Sequence, residues 1–518
     1  MDYQPRRQLR PWVIVVLSLV LIFVAVFVSI FVFRPGILFP NGSSSSASSH
    51  SNVALPKDHV TIDFSSPVGT SQFSPGISHV DDTLSYPWNN NDQTAVNHAK
   101  DLLKQAITYQ NTAIMAWGAP DPWPDPSQAE PSDWSYLDQR VQLARDTGGI
   151  PVLTLCEAPW WMKGILQQDG TTQLLKASDE WSNDAYNARI LDNKMGAWLH
   201  LVQRVAERYM APPYNVRYFQ VWNELKGYYN PATQNFDYNN SPGDPSGPNA
   251  KHGYTYMYNQ VYNRLMQVAT SLGIPKGEIK VGGPYVSVIT WSASDHANLS
   301  HLSKAYGTYD QRLLDAIQYW LHNKVGAGFI TIDGSNSNDD KDTVDPFTAA
   351  EKFGDMVSWI RSLDNTTYPG AATLPIWWAE WYATTYAHTS NNQYDAAIKA
   401  YAMIKLLKAG GAVALSWGGT GDDTTYDGGL WTDTGSAGGG QPRPWYDAYK
   451  AFKLYFGPGT KLYRATVSIP NDVEALASSS RLMLVNKTAQ TISLAVEGEA
   501  VTLSPYQVSV IAIKVSIP

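Results

Sequence analysis

From residue 53 to about residue 445 the chain alternates short apolar runs with longer stretches whose hydrophobic residues recur at helical spacing. The strand-like runs are Phe73 to Ser78, Ala113 to Trp117, Pro151 to Cys156, Val216 to Val221, Ile279 to Val281, Phe329 to Ile332, Pro375 to Trp378 and Ala412 to Trp417. Between them, Val96, Ala99, Leu103, Ala106 and Ile107 fall on one face of a helix, as do Met195, Trp198, Val202, Val205 and Tyr209. The sets Tyr258/Val261/Leu265/Val268, Leu313/Ile317/Trp320/Leu321 and Phe353/Met356/Val357/Ile360 repeat the pattern. Apolar positions three and four apart mark a helix with one buried side. Eight strands alternating with helices over this length predict an α/β fold, a (β/α)8 TIM barrel with insertions, rather than an open doubly wound sheet.

The pattern changes at both ends. Residues 446–518 carry short β runs, Leu482–Val485, Thr491–Val496 and Val508–Val515, separated by polar or Gly/Pro breaks. They predict a C-terminal β-sandwich, to which the early segment His59–Phe64 returns as a further strand. At the other end, Trp12–Phe33 is an apolar stretch of 22 residues with Ser18 and Ser29 as its polar members. As a helix it would span roughly 33 Å, enough to cross a bilayer. Arg6, Arg7 and Arg10 precede it and a single Arg34 follows, a bias that keeps residues 1–11 inside and sends the rest outward. The expectation is a transmembrane anchor over 12–33, with the folded barrel on the extracytoplasmic side of the cell membrane. A cleaved signal peptide, leaving a secreted protein, is the competing reading, although its apolar core is usually shorter. Residues 34–52 include the Ser-rich run Asn41–Asn52, which has nothing to bury and reads as a linker.

Composition narrows the function classes. The chain is 44% hydrophobic and 16% charged, with a formal net charge of −8 and pI near 5.7, so no basic field exists to attract a nucleic acid. No Gly-rich phosphate loop opens any of the helices, which removes the common nucleotide-binding readings. The single Cys156 excludes an intrachain disulfide and a Cys-based metal site, and it reads as a small buried hydrophobe. Aromatics are abundant, with 19 Trp and 30 Tyr, and the pairs Trp160–Trp161 and Trp377–Trp378 fall at strand ends, where flat apolar faces can stack on sugar rings.

Two segments carry candidate chemistry. Val216–Glu224 and Leu374–Tyr382 are apolar and aromatic runs, the first ending on a carboxylate and the second carrying one, Glu380. Barrel active sites lie at the C-terminal mouth of the strands. Glu224 after the fourth strand and Glu380 after the seventh would flank a bond held between them, as the paired acids of a glycosidase do. A separation of about 5–5.5 Å implies retention and about 6.5–9.5 Å inversion. Such chemistry calls for neither metal nor organic cofactor.

Trp222-Asn223-Glu224 after strand four and Ala379-Glu380-Trp381 after strand seven resemble the signature of clan A glycoside hydrolases. Gly282-Gly283-Pro284, Ala158-Pro159-Trp160 and Ser416-Trp417 make the chain most similar to family 39 of that clan, over roughly residues 56–518. The resemblance implies Glu224 as general acid/base, Glu380 as nucleophile, Asn223 bonding the sugar 2-hydroxyl, and β-xylosidase-like or related exo activity. Trp160 and Trp417 are candidates for the floor of the sugar site, with core packing as the alternative. His79 either bonds a sugar hydroxyl or is a structural histidine, and Glu157 either binds a hydroxyl or pairs with a neighbouring cation. One departure stands out. The family places His-x-Tyr after strand six, with the tyrosine on the nucleophile, whereas this chain has Ile332-Asp333-Gly334-Ser335. Tyr285 or Tyr382 would then have to orient Glu380.

The loop Pro231–Asn249, rich in turn formers, follows the acid/base candidate and suits a cleft wall, and a second polar insertion runs from Asp333 to Asp345. The expected partner is a carbohydrate, and the leading function is a retaining glycoside hydrolase acting on polysaccharides or oligosaccharides. A non-catalytic carbohydrate-binding surface protein on the same scaffold is the alternative, and a structural or adhesion protein using the sandwich is a third reading.

Overall fold

In the structure, a computed structural model, residues 55–80, 84, 92–384, 392–421 and 429–513 are described. The expected anchor at 12–33 and the Ser-rich linker lie outside these residues. Among the described residues no helix is long and apolar enough to cross a membrane.

Eight parallel strands close into a barrel: β1 (Ser74–His79), β2 (Tyr109–Ala113), β3 (Ile150–Leu155), β4 (Tyr218–Val221), β5 (Lys280–Ser287), β6 (Phe329–Ser335), β7 (Ile376–Tyr382) and β8 (Val413–Trp417). Each pairs with the next and β8 returns to β1. A long helix follows each strand: α1 (Gln93–Ala106), α2 (Ser135–Asp146), α3 (Met195–Met210), α4 (Tyr254–Ser271), α5 (Gln311–Asn323), α6 (Lys352–Ser362), α7 (Asn392–Lys408) and α8 (Pro444–Tyr455). The α1 pattern shows how sequence becomes structure. Asp92 accepts from Ala95 N at the N-cap, and Ala95, Val96, Ala99, Leu103 and Ala106 are buried along one stripe.

The barrel interior is layered by the two-residue period of its strands. At the lower end Tyr109, Val152, Tyr218, Phe329 and Trp377 form a plug, with Phe329 stacked on Trp377 at 4.1 Å between ring centroids. One step up the side chains are polar. Thr154 Oγ1 donates to Asn111 Oδ1 at 2.7 Å, and Gln220 Nε2 donates to the same oxygen at 3.2 Å and to Thr154 Oγ1 at 3.0 Å. Buried polar groups that satisfy one another hold a single arrangement, because each unpaired member would carry a desolvation cost.

This polar layer explains a displaced strand. The run Ala113–Trp117 was the expected second strand, but β2 is Tyr109–Ala113, whose centre is the polar Gln110-Asn111-Thr112. Likewise β5 does not stop at Val281 but continues through Gly282-Gly283-Pro284 to Ser287. Glycine is needed there by contact: a Cβ on Gly282 would come within 2.2 Å of the Phe329 ring.

The β-rich tail comprises β9 (Lys461–Val467), β10 (Val473–Ser478), β11 (Arg481–Asn486), β12 (Ile492–Val496), β13 (Glu499–Leu503) and β14 (Val508–Ala512). Together with the N-terminal strand His59–Thr70, which returns as expected, they make one seven-stranded sheet in the order β13-β12-N-terminal strand-β9-β10-β11-β14, rather than the two stacked sheets of the expected β-sandwich. Alternation divides its side chains. Leu476, Met483 and Val485 join the main core, whereas Ala475, Ala477, Leu482 and Leu484 form a separate core with Val60 and Leu494. The expected boundary at 445/446 falls inside α8, whose Trp445, Tyr449 and Phe452 belong to the main core. Pro444 at its first turn starts this helix, and the sheet begins only at Lys461.

Candidate active site

Glu380 reaches the barrel mouth through a β-bulge. Along β7, Trp377 belongs to the lower plug and Trp378 packs outward on Phe353 of α6. The β6 register then skips a residue, pairing Ile332 with Trp378 but Asp333 with Glu380. The extra residue, Ala379, turns Glu380 inward, which is what a bulge does to the side chain that follows it. A second bulge lies on β5, where Pro284 pairs with Thr331 and Val286 with Ile332, leaving Tyr285 over at φ +56°. Tyr285 then donates its hydroxyl to Glu380 Oε1 at 2.6 Å, and Tyr382 donates to Oε2 at 3.0 Å.

Glu224 lies just past β4 in a sharply turned segment where Trp222, Glu224 and Leu225 have φ of +67°, +50° and +54°. Left-handed backbone at residues other than glycine is strained, and surrounding packing has to impose it. The Trp222 ring is fully buried against Trp198 of α3, its Nε1 donates to Lys226 O at 2.8 Å, and Tyr254 donates to Val221 O at 2.8 Å. These contacts hold the turn, and Ala116 and Trp117 adopt the same backbone region at the end of β2.

One oxygen each of Glu224, Asp333 and Glu380 lies within 4.8 Å of the others. Glu224 keeps 23% of its side chain exposed, whereas Glu380 and Asp333 are buried. Lys226 Nζ pairs with Glu224 Oε2 at 2.7 Å and sits over the Tyr186 ring at 4.3 Å from its centroid. Asn223 links the two glutamates' surroundings: with its amide turned to satisfy both neighbours, Nδ2 donates to Glu380 Oε1 at 3.2 Å and Oδ1 accepts from Lys226 Nζ at 3.2 Å. Three carboxylate oxygens at this spacing resemble a partial donor set for a hard cation. The Lys226 ammonium already meets that negative charge, so the residues present do not call for a metal.

Charge and burial separate the groups. Burial, followed by the charge of Glu224, pushes Glu380 up to about 8, against the pull of Lys226 and the two tyrosine hydroxyls. Burial, then the charges of Glu224 and Glu380, push Asp333 well above the usual carboxylate range. For Lys226 burial works downward, but Glu224 and Glu380 outweigh it and the amine is raised, hence charged. Burial, then Glu380, raise Tyr285 and Tyr382, so both remain hydroxyl donors.

The structure brings most of the expected residues together. His79, Asn223, Tyr285, Glu380 and Trp417 line one pocket, with Trp117 edge-on to Trp417 at 5.6 Å between centroids. His79 Nε2 meets Gln110 Oε1 at 3.0 Å. Glu157 is buried and paired with Lys163 Nζ at 2.7 Å, the cation-pairing outcome of its two readings. Trp160 is not among the pocket's lining residues. Its indole donates to Pro124 O at 3.2 Å, and its neighbour Trp161 packs on Trp123. The pair Trp377–Trp378, unlike the partly buried Trp160–Trp161, is core rather than rim. Cys156 is fully buried, and burial raises its thiol. Lys226, Tyr186 and Trp117 were not foreseen: Lys226 lies two residues past Glu224, and Tyr186 arrives from the 39-residue segment between β3 and α3, whose course has no local signature.

No protein-family model and no curated protein matches the chain. Solved structures do. A conserved exported protein from Bacteroides fragilis superposes with a TM-score of 0.59 at 12% identity, covering 88% of this chain and 100% of that one. A glucosidase from Croceicoccus marinus gives 0.50 at 12% identity, over 86% and 84%. An endo-β1,6-glucanase gives 0.52 at 10% identity, over 86% and 91%. The likeness is one of fold.

Proposed function

We propose that the chain is a retaining glycoside hydrolase that cleaves glycosidic bonds in polysaccharides or oligosaccharides through two glutamates. The observation that carries this reading is that one oxygen of Glu224 and one of Glu380 lie within 4.8 Å of each other at the barrel mouth, close enough for both carboxyl groups to flank a single glycosidic bond. Their surroundings favour different roles. Glu380 is buried on the pocket wall with two hydroxyls aimed at its oxygens, as a nucleophile must be held. Glu224 is partly open to the mouth, where a leaving group departs.

In the first step Glu224 gives a proton to the glycosidic oxygen while a Glu380 oxygen attacks the anomeric carbon. Esterified, Glu380 loses its charge, and Glu224 can then take a proton from the attacking water. Trp117 and Trp417 offer the sugar an aromatic wall, and Asn223 and His79 offer polar contacts. The fold shared with a glucosidase and an endo-glucanase supports the reaction class. The motif resemblance supports family 39, with the strand-six tyrosine replaced by Tyr285. The apolar segment 12–33 and its flanking arginines support tethering at the membrane with the barrel outside.

Hydrolysis of aryl xylosides, glucosides, arabinosides and uronides by the full chain tests the proposal. Turnover that Glu224→Gln and Glu380→Gln both abolish is expected. Absence of turnover, with sugar binding indifferent to both substitutions, would favour the binding-protein alternative.

A further inference from the structure

Asp333 stands where the motif resemblance implies histidine, and its contacts give it a definite task. It is 1% exposed and lies across from Glu380 in the β6–β7 register. Its Oδ1 receives the Ser287 hydroxyl at 3.1 Å, but Oδ2 meets no N–H or O–H donor among the described residues. What it faces instead are the carboxyl groups of Glu224 and Glu380. Every other charged or titratable group nearby is committed elsewhere. From β5 and β7, Tyr285 and Tyr382 give their hydroxyls to Glu380. Lys226, past β4, pairs with Glu224. From α6, Lys352 Nζ turns to Thr290 Oγ1 at 3.3 Å and Ser337 O at 3.5 Å, and the charges of Asp333, then Asp339 and Asp342, act on it without a direct ion pair to Asp333. Burial brings that amine down to about 7, so it is a weak counterion.

Carboxyl groups this close cannot all ionise out of water, and one of them must keep a proton. We propose that Asp333 is held as a neutral acid that donates its proton as a hydrogen bond to Glu224, fixing the direction of the Glu224 carboxylate and stabilising it while ionised. It is a positioning residue, since it acts through Glu224 and not on the sugar.

This rests on the hydrolase reading for its consequence. In glycosylation the Glu224 proton goes to the departing oxygen, which keeps the electron pair of the broken C–O bond, and Glu380 bonds to carbon. Glu224 is then an anion beside an uncharged ester. The Asp333 hydroxyl supports that anion until water attacks carbon, gives its proton to Glu224 and releases Glu380. The Asp333 proton remains on Asp333 throughout.

Two measurements on the full chain decide the matter. The first compares D333N with D333A on the aryl glycoside the unsubstituted chain hydrolyses best. A hydrogen bond to a charged group is commonly worth a factor of about 10 to 100, so D333A should lose about that in kcat. The alkaline limb of its kcat/KM profile should move upward, because the anion has lost its donor. D333N retains an N–H donor and should recover most of the rate and the original limb. Equal losses in both, with unmoved limbs, would overturn the proposal. The second is the infrared difference between the unsubstituted chain and D333N at pH 8. A protonated-carboxyl C=O stretch that vanishes in D333N is expected, and its absence would also overturn the proposal. Because this readout needs no turnover, the band together with an inactive chain would remove the hydrolase reading and leave the neutral acid standing.

Discussion

Tyr285 and Glu380 meet at 2.6 Å across an intervening strand, each turned inward by a bulge of its own. The hydrogen bond favours the ionised form of Glu380 against the burial that disfavours it. Tyr285→Phe should therefore lower kcat about 10- to 100-fold, with little change in sugar affinity. Tyr382→Phe, which removes the 3.0 Å contact to the other oxygen, should cost less. Steady-state kinetics of both variants test this, and a Tyr285→Phe enzyme with unaltered kcat would remove the phenol from nucleophile orientation.

The assignment of roles to the two glutamates is open to a stereochemical check. With azide, Glu380→Gly should yield a glycosyl azide of inverted anomeric configuration, since the small anion enters the space of the missing nucleophile. Glu224→Ala should yield one of retained configuration, because azide then attacks the covalent intermediate. NMR of the products reads the outcome, and exchanged configurations would exchange the roles. Without azide, loss of the acid/base should lower the rate about 10²- to 10⁴-fold.

The raised Glu380 carboxyl has a consequence for stability. Its value moves from 4.5 to about 8 on folding, so between those limits the folded chain binds more protons at this site than the unfolded chain. The site's contribution is full below about pH 4.5 and is lost as pH rises through about 8. Glu380→Gln removes the titration. Relative to this variant, the unsubstituted chain should lose melting temperature as pH rises from about 5 to about 9. Lys352, held near 7 by burial, acts with the opposite sign, because folding disfavours its protonated form and its contribution grows with pH. It is common to both chains and cancels in the difference. Parallel melting curves against pH would contradict the burial of an ionisable Glu380.

Much of this architecture was legible beforehand because buried parallel strands and one-sided helices write their periods into the sequence. Glu224 and Glu380 could be found since each lies at or just beyond an apolar strand centre. Harder to read was anything that depends on closure. β2 was displaced because its interior residue Asn111 is polar, its partners Thr154 and Gln220 being 43 and 109 positions away. Trp377 and Trp378 looked like sugar platforms since they fall at a predicted strand end, but a one-residue bulge separates their environment from that of Glu380. No sequence period reveals a bulge. The same device turns Tyr285 toward Glu380.

The N-terminal strand allows a controlled comparison within one element. Val60 is 3% exposed, pairs with Val467 and Val496, and lies in the sheet's own core, whereas Val68 further along the strand is 57% exposed. An aspartate at position 60 would place an unpaired charge among Leu484, Leu494 and Val496. Removing one partner of a buried ion pair, which also leaves an unmatched charge, costs about 3–5 kcal/mol, and a comparable loss is expected here. The same change at position 68 should stay within about 0.5 kcal/mol, as for most surface substitutions. Because this strand sits between β12 and β9, Val60→Asp should also divide the sheet and open β9 and β12 to proteolysis. Urea unfolding and limited digestion of the two variants measure these effects. Equal stability would mean that the strand's place in the centre of the sheet contributes little to holding it together.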